Sequence, residues 1–373
     1  MAGGSIRQVT GSDLPRLARL VAACGFPERS AEGWRWVLFC NPAQGDIPPG
    51  WVFEGAGGEL AGFLGNYVIT YRQGGRRFRF AVGHTAVSDL DGPKRHAGLR
   101  LLRHGVKQAG VDAYVTLNNN ALSAPIFPRL GASAWLGAEG REWIEWPTGL
   151  PRILSARLAR LVLRGDAKAE RFRHAADPGF DRPTDLGGGI EAVPVTAQTD
   201  ALVLDLARGL ASEQDRIVRE ITPDLLAHRR ADPDRAGGVW QVIVTVDGQP
   251  VLLAGLLVTK PSAQGLEHIE IADWLACAGE AGDRAQAALL RHVVSAARRA
   301  GIAKVRMHFP GLTGARLRAG TGLRTRRRLG HDPCHGIFHA GAVAESWRAG
   351  PGDADYFFSA RIPPDLYRGQ PAS

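Results

Sequence analysis

Cysteine is scarce and dispersed. Cys24, Cys40, Cys277 and Cys334 are the only four, no two lie close together and none forms a CxxC pair. That spacing argues against a disulfide framework and against a zinc knuckle, so reduced thiols are expected. Cys334-His335 would need a second ligand pair to hold a metal, and none occurs at a workable spacing, so no metal is expected. Long apolar runs are also missing. Nothing approaches the roughly 18–20 apolar residues that span a bilayer, and the start, MAGGSIRQVTGSDL, has no apolar h-region of a signal peptide. A cytoplasmic protein without a membrane span is the expectation. Lysine is the third shortage: 41 of the 46 basic residues are Arg and five are Lys. A skew of that kind fits a genome-wide codon bias better than selection at one surface. The arginines are scattered, apart from Arg324 and Arg326 to Arg328, and lack interleaved aromatics, so no nucleic-acid partner is expected. A net charge of +9 suits anionic ligands in general, including a cofactor with several phosphates.

What is present is the patterning of an α/β protein. At 373 residues the chain exceeds one hydrophobic core, and about 100–200 residues per domain implies two domains. Ile6 to Val9 reads as a strand. Ser12 is a candidate N-cap for a helix carrying Leu14, Leu17, Leu20 and Val21, and a second helix is expected over Ser30 to Phe39. Strands follow at Trp51 to Glu54, Leu60 to Arg72 and Arg77 to Val87, separated by Gly57-Gly58 and Gly74-Gly75 turns. The stretch 78–133 then gives strand, loop, helix, strand and short helix. Such a unit can hold a phosphate, because unpaired N–H groups and the helix dipole point at the loop. Ala132 to Leu136 and Glu142 to Trp146 read as a closing hairpin. Pro151 to Arg164 is an amphipathic basic helix candidate, more simply an interface helix than a membrane-surface one. Asp177 to Gly189 is turn-rich. The series then recurs: strand 190–195, helices 201–210 and 224–230, a hairpin around Asp247-Gly248, strand 266–275, helix 283–300, strand 304–309 and a short helix 312–319.

Arg95-His96-Ala97-Gly98-Leu99-Arg100 lies between the fourth strand and the third helix. Asn118-Asn119-Asn120 follows the fifth strand, ahead of Pro125-Ile126-Phe127-Pro128-Arg129-Leu130-Gly131. In this order and placement the sequence resembles the GNAT superfamily, the GCN5-related N-acetyltransferases, whose cofactor motif is Q/R-x-x-G-x-G/A. Arg100 departs from the final small residue, and Phe127 stands where the family usually has Tyr. The phrasing around 120–131 and the Trp347 to Phe358 tail, with Asp353 and Asp355, are similar to GNAT proteins encoded with bacterial surface-polysaccharide genes. The resemblance implies two tandem GNAT-like domains, each a mixed, mostly antiparallel sheet flanked by helices: residues 1–149, a linker 150–189, residues 190–345, and a tail 346–373.

It also implies an acyl-CoA-dependent N-acyltransferase, with acetyl-CoA as cofactor and a small-molecule amine or amino sugar as acceptor, attacked directly in a ternary complex. The implied cofactor-binding set is the backbone of Ala86, Val87 and Ser88, the loop and helix start Lys94, Arg95, His96, Ala97, Gly98 and Leu99, and Asn119, Asn120 and Phe127. Candidate bases are His84, Glu54 and, in the second unit, Glu270. Each has a plainer reading: a hydrogen-bonded structural histidine, and carboxylates on solvated or ion-paired strand faces. The second loop, Ala278 to Asp283, lacks a basic residue and carries Glu280 and Asp283, which repel a pyrophosphate. An aminoacyl-tRNA-dependent transferase like the FemABX family, or a non-catalytic GNAT-fold binding protein, stand as alternatives.

Overall fold

The computed structural model describes residues 4–26, 29–88, 96–117, 119, 123–134, 141–149, 154, 177–212, 216–234, 239–259, 268–308, 317, 320–329, 334–339, 341–347 and 349–353. Lys94, Arg95, Asn120, Asp355 and all of 151–164 but Leu154 lie outside the described residues, as does most of 312–319. Strands β1 to β7 are Ser5–Gln8, Gly50–Glu54, Leu60–Gln73, Arg76–Ser88, Ala113–Thr116, Ser133–Ala134 and Glu142–Pro147. Strands β8 to β12 are Thr184–Gly187, Ile190–Pro194, Val218–Arg219, Val239–Val246 and Gln249–Thr259. Strands β13 to β16 are His268–Ala276, Lys304–His308, Arg326–Leu329 and His335–Phe338. Helices α1 to α7 are Leu14–Ala23, Ala31–Phe39, Ala97–Gly105, Asp200–Ala211, Pro223–Arg230, Glu280–Arg299 and Gly341–Ser346.

Helix starts follow local chemistry. The Ser30 hydroxyl accepts from the Gly33 N–H at 2.9 Å to open α2, and Thr222 accepts from Leu225 N–H at 3.2 Å to open α5, with Pro223 behind it. At α1 the cap differs from expectation. Asp13, not Ser12, turns back to take the Thr10 N–H at 2.9 Å, closing a short 3₁₀ turn over Gly11–Asp13.

Among the described residues the strands form two sheets of eight. The first runs β1-β2-β3-β4-β5-β16-β6, with β10 added to the far part of β3. The second runs β15-β7-β14-β13-β12-β11-β9-β8. The β4–β5 and β13–β14 pairs are parallel and the other ladders antiparallel, so each sheet is mixed and mostly antiparallel. Helices α1 and α2 cover one face of the first sheet, with Leu14, Leu17, Trp34 and Val37 packed on Phe63, Tyr67, Phe80 and Val82. Helix α3 covers the other, with Leu101 and Leu102 on Trp51, Leu64 and Tyr114. In the second sheet α6 buries Leu289, Leu290, Val293 and Val294.

The expected hairpin between 132–136 and 142–146 does not form. β6 pairs β16 in the first sheet, while β7 crosses to the second and lies between β14 and β15. In return β16, from the far end of the chain, pairs β5. A period-2 pattern marks a strand but not the sheet it joins. The crossing has an apolar cause: Ile144 and Trp146 are fully buried in the core beneath α6.

This exchange builds a strand from each half into the sheet of the other, so the two halves should unfold together. Trp146→Ala should cost about 3–5 kcal/mol, and tryptophan fluorescence and far-ultraviolet circular dichroism should still report one coincident urea transition. Two separated transitions would show that the halves unfold independently.

Candidate active site

Among the described residues, β4 and β5 pair over Phe80–Val82 and Ala113–Val115 and then part. Beyond the parting, β4 is bulged. Phe63 opposes Val87 and Gly65 opposes His84, so Leu64 alone faces both Thr85 and Ala86. Thr85 takes the left-handed conformation, φ +47°, which is uncommon for a residue with a β-branched side chain. On one side β4 is thus bulged against β3, and on the other it has left β5 behind at Val82. Gly83 stands at the parting point because there is no room for more: a Cβ there would lie 2.1 Å from the Tyr114 hydroxyl and 3.1 Å from the Thr116 methyl.

The start of α3 lies beside the end of β4. The side chain of its N-cap residue, His96, makes no cap hydrogen bond to it, and a helix start is where unpaired N–H groups can receive an anion. Ala97 is buried, and Gly98 is packed so closely that a Cβ would meet Ser88 Oγ at 2.8 Å. Leu99 is exposed. Arg100, the departure from the family motif, turns away from the helix start. Its guanidinium lies over the Phe53 ring at 4.8 Å and donates to the Gly4 carbonyl at 3.2 Å. It therefore leaves the phosphate approach at Gly98 clear.

Across the gap, Asn119 Nδ2 donates to Thr116 Oγ1 at 2.7 Å and lies 3.1 Å from His335 Nδ1. The His335 ring stacks on Phe127, centroids 5.5 Å apart at 22°. Thr116 and His335 had carried no signal of this role in the sequence. His335 reaches the site only because β16 pairs β5, with His335 opposite Thr116.

His84 is buried on the α1–α2 face, edge-on to Phe63, with Nδ1 3.1 Å from Thr85 Oγ1. Burial, aided by the nearby Arg29 charge, lowers its pKa to about 3. Glu54 sits at the other side of the sheet, on β2, ion-paired with Arg7 at 2.7 Å and near Arg16 at 3.8 Å. The Arg7 hydrogen bond holds its carboxyl below the usual range. Glu270 lies in the second sheet, fully buried, accepting from Arg306 Nε at 2.5 Å and contacting His268 Nε2 at 3.2 Å. The structure thus gathers His84, Ala86 to Ser88 and His96 to Leu99 around the end of β4, and Asn119 and Phe127 across the gap. It keeps Glu54 and Glu270 apart from them.

The corresponding corner of the second sheet is built differently. A cavity of about 870 Å³ there is lined by Glu280, Asp283, Arg284 and Arg291 along α6, and a Cβ at Gly282 would meet the Cys277 carbonyl oxygen at 2.1 Å. Among the described residues no group of three or more His, Cys, Asp or Glu is placed to hold a metal ion, and no helix is long and apolar enough to cross a membrane.

No family model matches the chain, and no curated protein matches it. Solved structures do. A GCN5-related N-acetyltransferase from Anabaena variabilis is 11% identical, with 91% of this chain covering 73% of that one and a TM-score of 0.55. N-myristoyltransferase of Saccharomyces cerevisiae, solved with myristoyl-CoA bound, is 9% identical, covering 91% and 79%, TM-score 0.55. A GCN5-related N-acetyltransferase from Kribbella flavida is 14% identical, covering 93% and 74%, TM-score 0.53. Likeness at these identities establishes the fold.

The His84 environment has a measurable consequence. The unfolded side chain titrates near 6.5 and the folded one near 3, so between those values the unfolded chain binds a proton that the folded chain refuses. Stability therefore falls as pH drops through that window. In His84→Gln the slope of unfolding free energy against pH, from urea titrations at pH 4 to 6, should flatten by about 1.4 kcal/mol per pH unit. His228, lowered to about 4 mainly by burial, supplies part of the remaining slope.

Proposed function

We propose, on the premise of a tandem GNAT fold, that this chain is an acyl-CoA-dependent N-acyltransferase whose cofactor lies in the first sheet, between the parted ends of β4 and β5. The observation that carries this reading is the juxtaposition of three features: the parted strands, the bulge at Thr85–Ala86, and the start of α3 beside the end of β4, with Gly98 packed against Ser88. Together they offer room for a pantetheine arm and N–H donors for a pyrophosphate. Acetyl-CoA is the cofactor we propose. Bound there, it would supply an acyl group activated as a thioester.

The chain's own residues then have limited tasks. N–H groups of β4 within Thr85 to Ser88, on the side that β5 leaves unpaired, would donate to the thioester carbonyl oxygen as it gains negative charge. His96 to Leu99 would hold the pyrophosphate through the helix start, with Asn119 steadying the arm from across the gap. As the acceptor nitrogen bonds to the carbonyl carbon, the carbon–sulfur bond breaks and its electron pair leaves with the sulfur. The nitrogen loses a proton. His84 is neutral throughout the physiological range, so it would accept a hydrogen bond from the amine, while the proton itself would go to water. Glu54 and Glu270 are already paired with Arg7 and Arg306 and take no part.

Calorimetric titration tests the reading. Acetyl-CoA should bind the wild type. Gly98→Glu should abolish binding, because it places a carboxylate and a side chain where Ser88 and the phosphates crowd the backbone. Arg284→Glu, at the start of α6, should bind as the wild type does; Gly282 is unsuitable as that control, since any side chain there strikes backbone. If the wild type fails to bind at millimolar cofactor, the reading is wrong. With a small amine as acceptor, kcat/KM should rise with pH along the amine's own ionisation and show no step near 6.5 from His84.

A further inference from the structure

Cys334 and His335, the dipeptide at the start of β16, both grip the segment that leaves β5. Cys334 is buried, and its thiol donates to the Leu117 carbonyl oxygen at 3.5 Å. His335 is buried too, and it stands opposite Thr116 of β5 on one side and Ala134 of β6 on the other. Two adjacent residues from the far end of the chain thus hold the route from Thr116 through Leu117 to Asn119.

The side chains converge on Asn119. Its Nδ2 lies 2.7 Å from Thr116 Oγ1 and 3.1 Å from His335 Nδ1. An amide nitrogen carries two hydrogens and accepts none, so each hydrogen meets one acceptor. His335 Nδ1 is then the bare nitrogen of a neutral ring whose proton sits on Nε2. The amide cannot turn over alone, because its carbonyl oxygen would face that bare nitrogen. Thr116 and His335 together fix one orientation of the Asn119 amide.

The imidazole is itself held. Its plane is set by the stack on Phe127, centroids 5.5 Å apart at 22°, and its height along the cleft by the β5–β16 register. Closing the edge of β5 needs only backbone groups, and any flat side chain that fits against Phe127 would serve there. A hydrogen-bond acceptor aimed at Asn119 is an addition that edge closure does not require.

We propose that His335 is a positioning residue for the arm of the cofactor. It holds the Asn119 amide in the orientation that binds pantetheine, so the second half of the chain completes the cofactor cleft of the first. The role rests on the acyl-CoA reading above.

Two substitutions separate the acceptor from the ring. His335→Phe keeps a ring to stack on Phe127 and removes the acceptor. His335→Asn gives up the ring and puts an oxygen where Nδ1 stands. Calorimetric titration of the full chain compares acetyl-CoA with 3′-phospho-ADP, which has the cofactor's phosphates and no arm. His335→Phe should weaken acetyl-CoA about tenfold, the loss expected for one hydrogen bond, and leave 3′-phospho-ADP within about twofold of the wild type. His335→Asn should recover most of the acetyl-CoA affinity. Asn119→Ala should lose as much as His335→Phe, and the double variant no more than either alone, since all three remove one shared interaction. Unchanged acetyl-CoA binding in His335→Phe, equal weakening of both ligands, His335→Asn binding no better than His335→Phe, or additive losses in the double variant would each overturn the role. A wild type that does not bind acetyl-CoA would instead overturn the cofactor reading, and this role with it.

Discussion

The strand that borders the proposed cleft has an outer edge, and that edge is closed by the far end of the chain. β5 contributes three paired residues to β4 and is then needed to diverge. Left with an open second edge, so short a strand would expose unpaired N–H and C=O groups and hold no fixed position. β16 supplies the missing ladder over His335–Phe338, and β7 does the same for β14 in the other sheet. The gap between β4 and β5 is therefore a property of the complete chain. The same exchange sets His335 against Asn119 and Phe127, so the cleft's far wall is shared by both halves.

The interface between the halves is bound by more than strands. Arg29 pairs with Asp232 at 2.9 Å, the Trp36 indole N–H donates to the His228 carbonyl at 2.7 Å, and Tyr71 of the first sheet meets Asp353 of the tail. Trp347, fully buried among Tyr71, Phe80 and Phe338, anchors the segment that delivers Asp353. Buried ion pairs contribute little net stability over an apolar replacement, yet losing one partner costs about 3–5 kcal/mol. They thus penalise misdocking more than they reward docking. A set of contacts of this kind fixes how two sheets meet.

Much of the local structure was legible. The helix over Ser30 to Phe39, the strand through Leu60 to Arg72 and the αβ order of both halves arise from nearest-neighbour chemistry, which sequence carries. The expected fold class, two mixed and mostly antiparallel sheets, follows from that order. The exchange of β7 and β16 was not legible, because Glu142 to Trp146 reads the same whichever sheet it enters. The buried ion pair of Arg219 with Asp273, at 2.7 Å, was hidden for another reason. The two are far apart in sequence, β10 is a two-residue strand, and one arginine among 41 draws no attention. His335 was visible only as half of a Cys-His dipeptide with no metal partners. Asp353 belonged to a tail whose place could not be read until Trp347 was seen in the core.

His84 shows where a residue's position and its chemistry part company. Sequence placed an imidazole on the strand beside the gap, which is where a base would be useful. Burial then removed most of its basicity, and the two carboxylate candidates were neutralised by their own arginines. None of the three groups offers a strong proton sink near the gap. An acyl transfer run at this site must draw its rate from elsewhere: from donors preorganised on the bulged strand where charge develops on oxygen, and from holding a neutral amine at attacking distance.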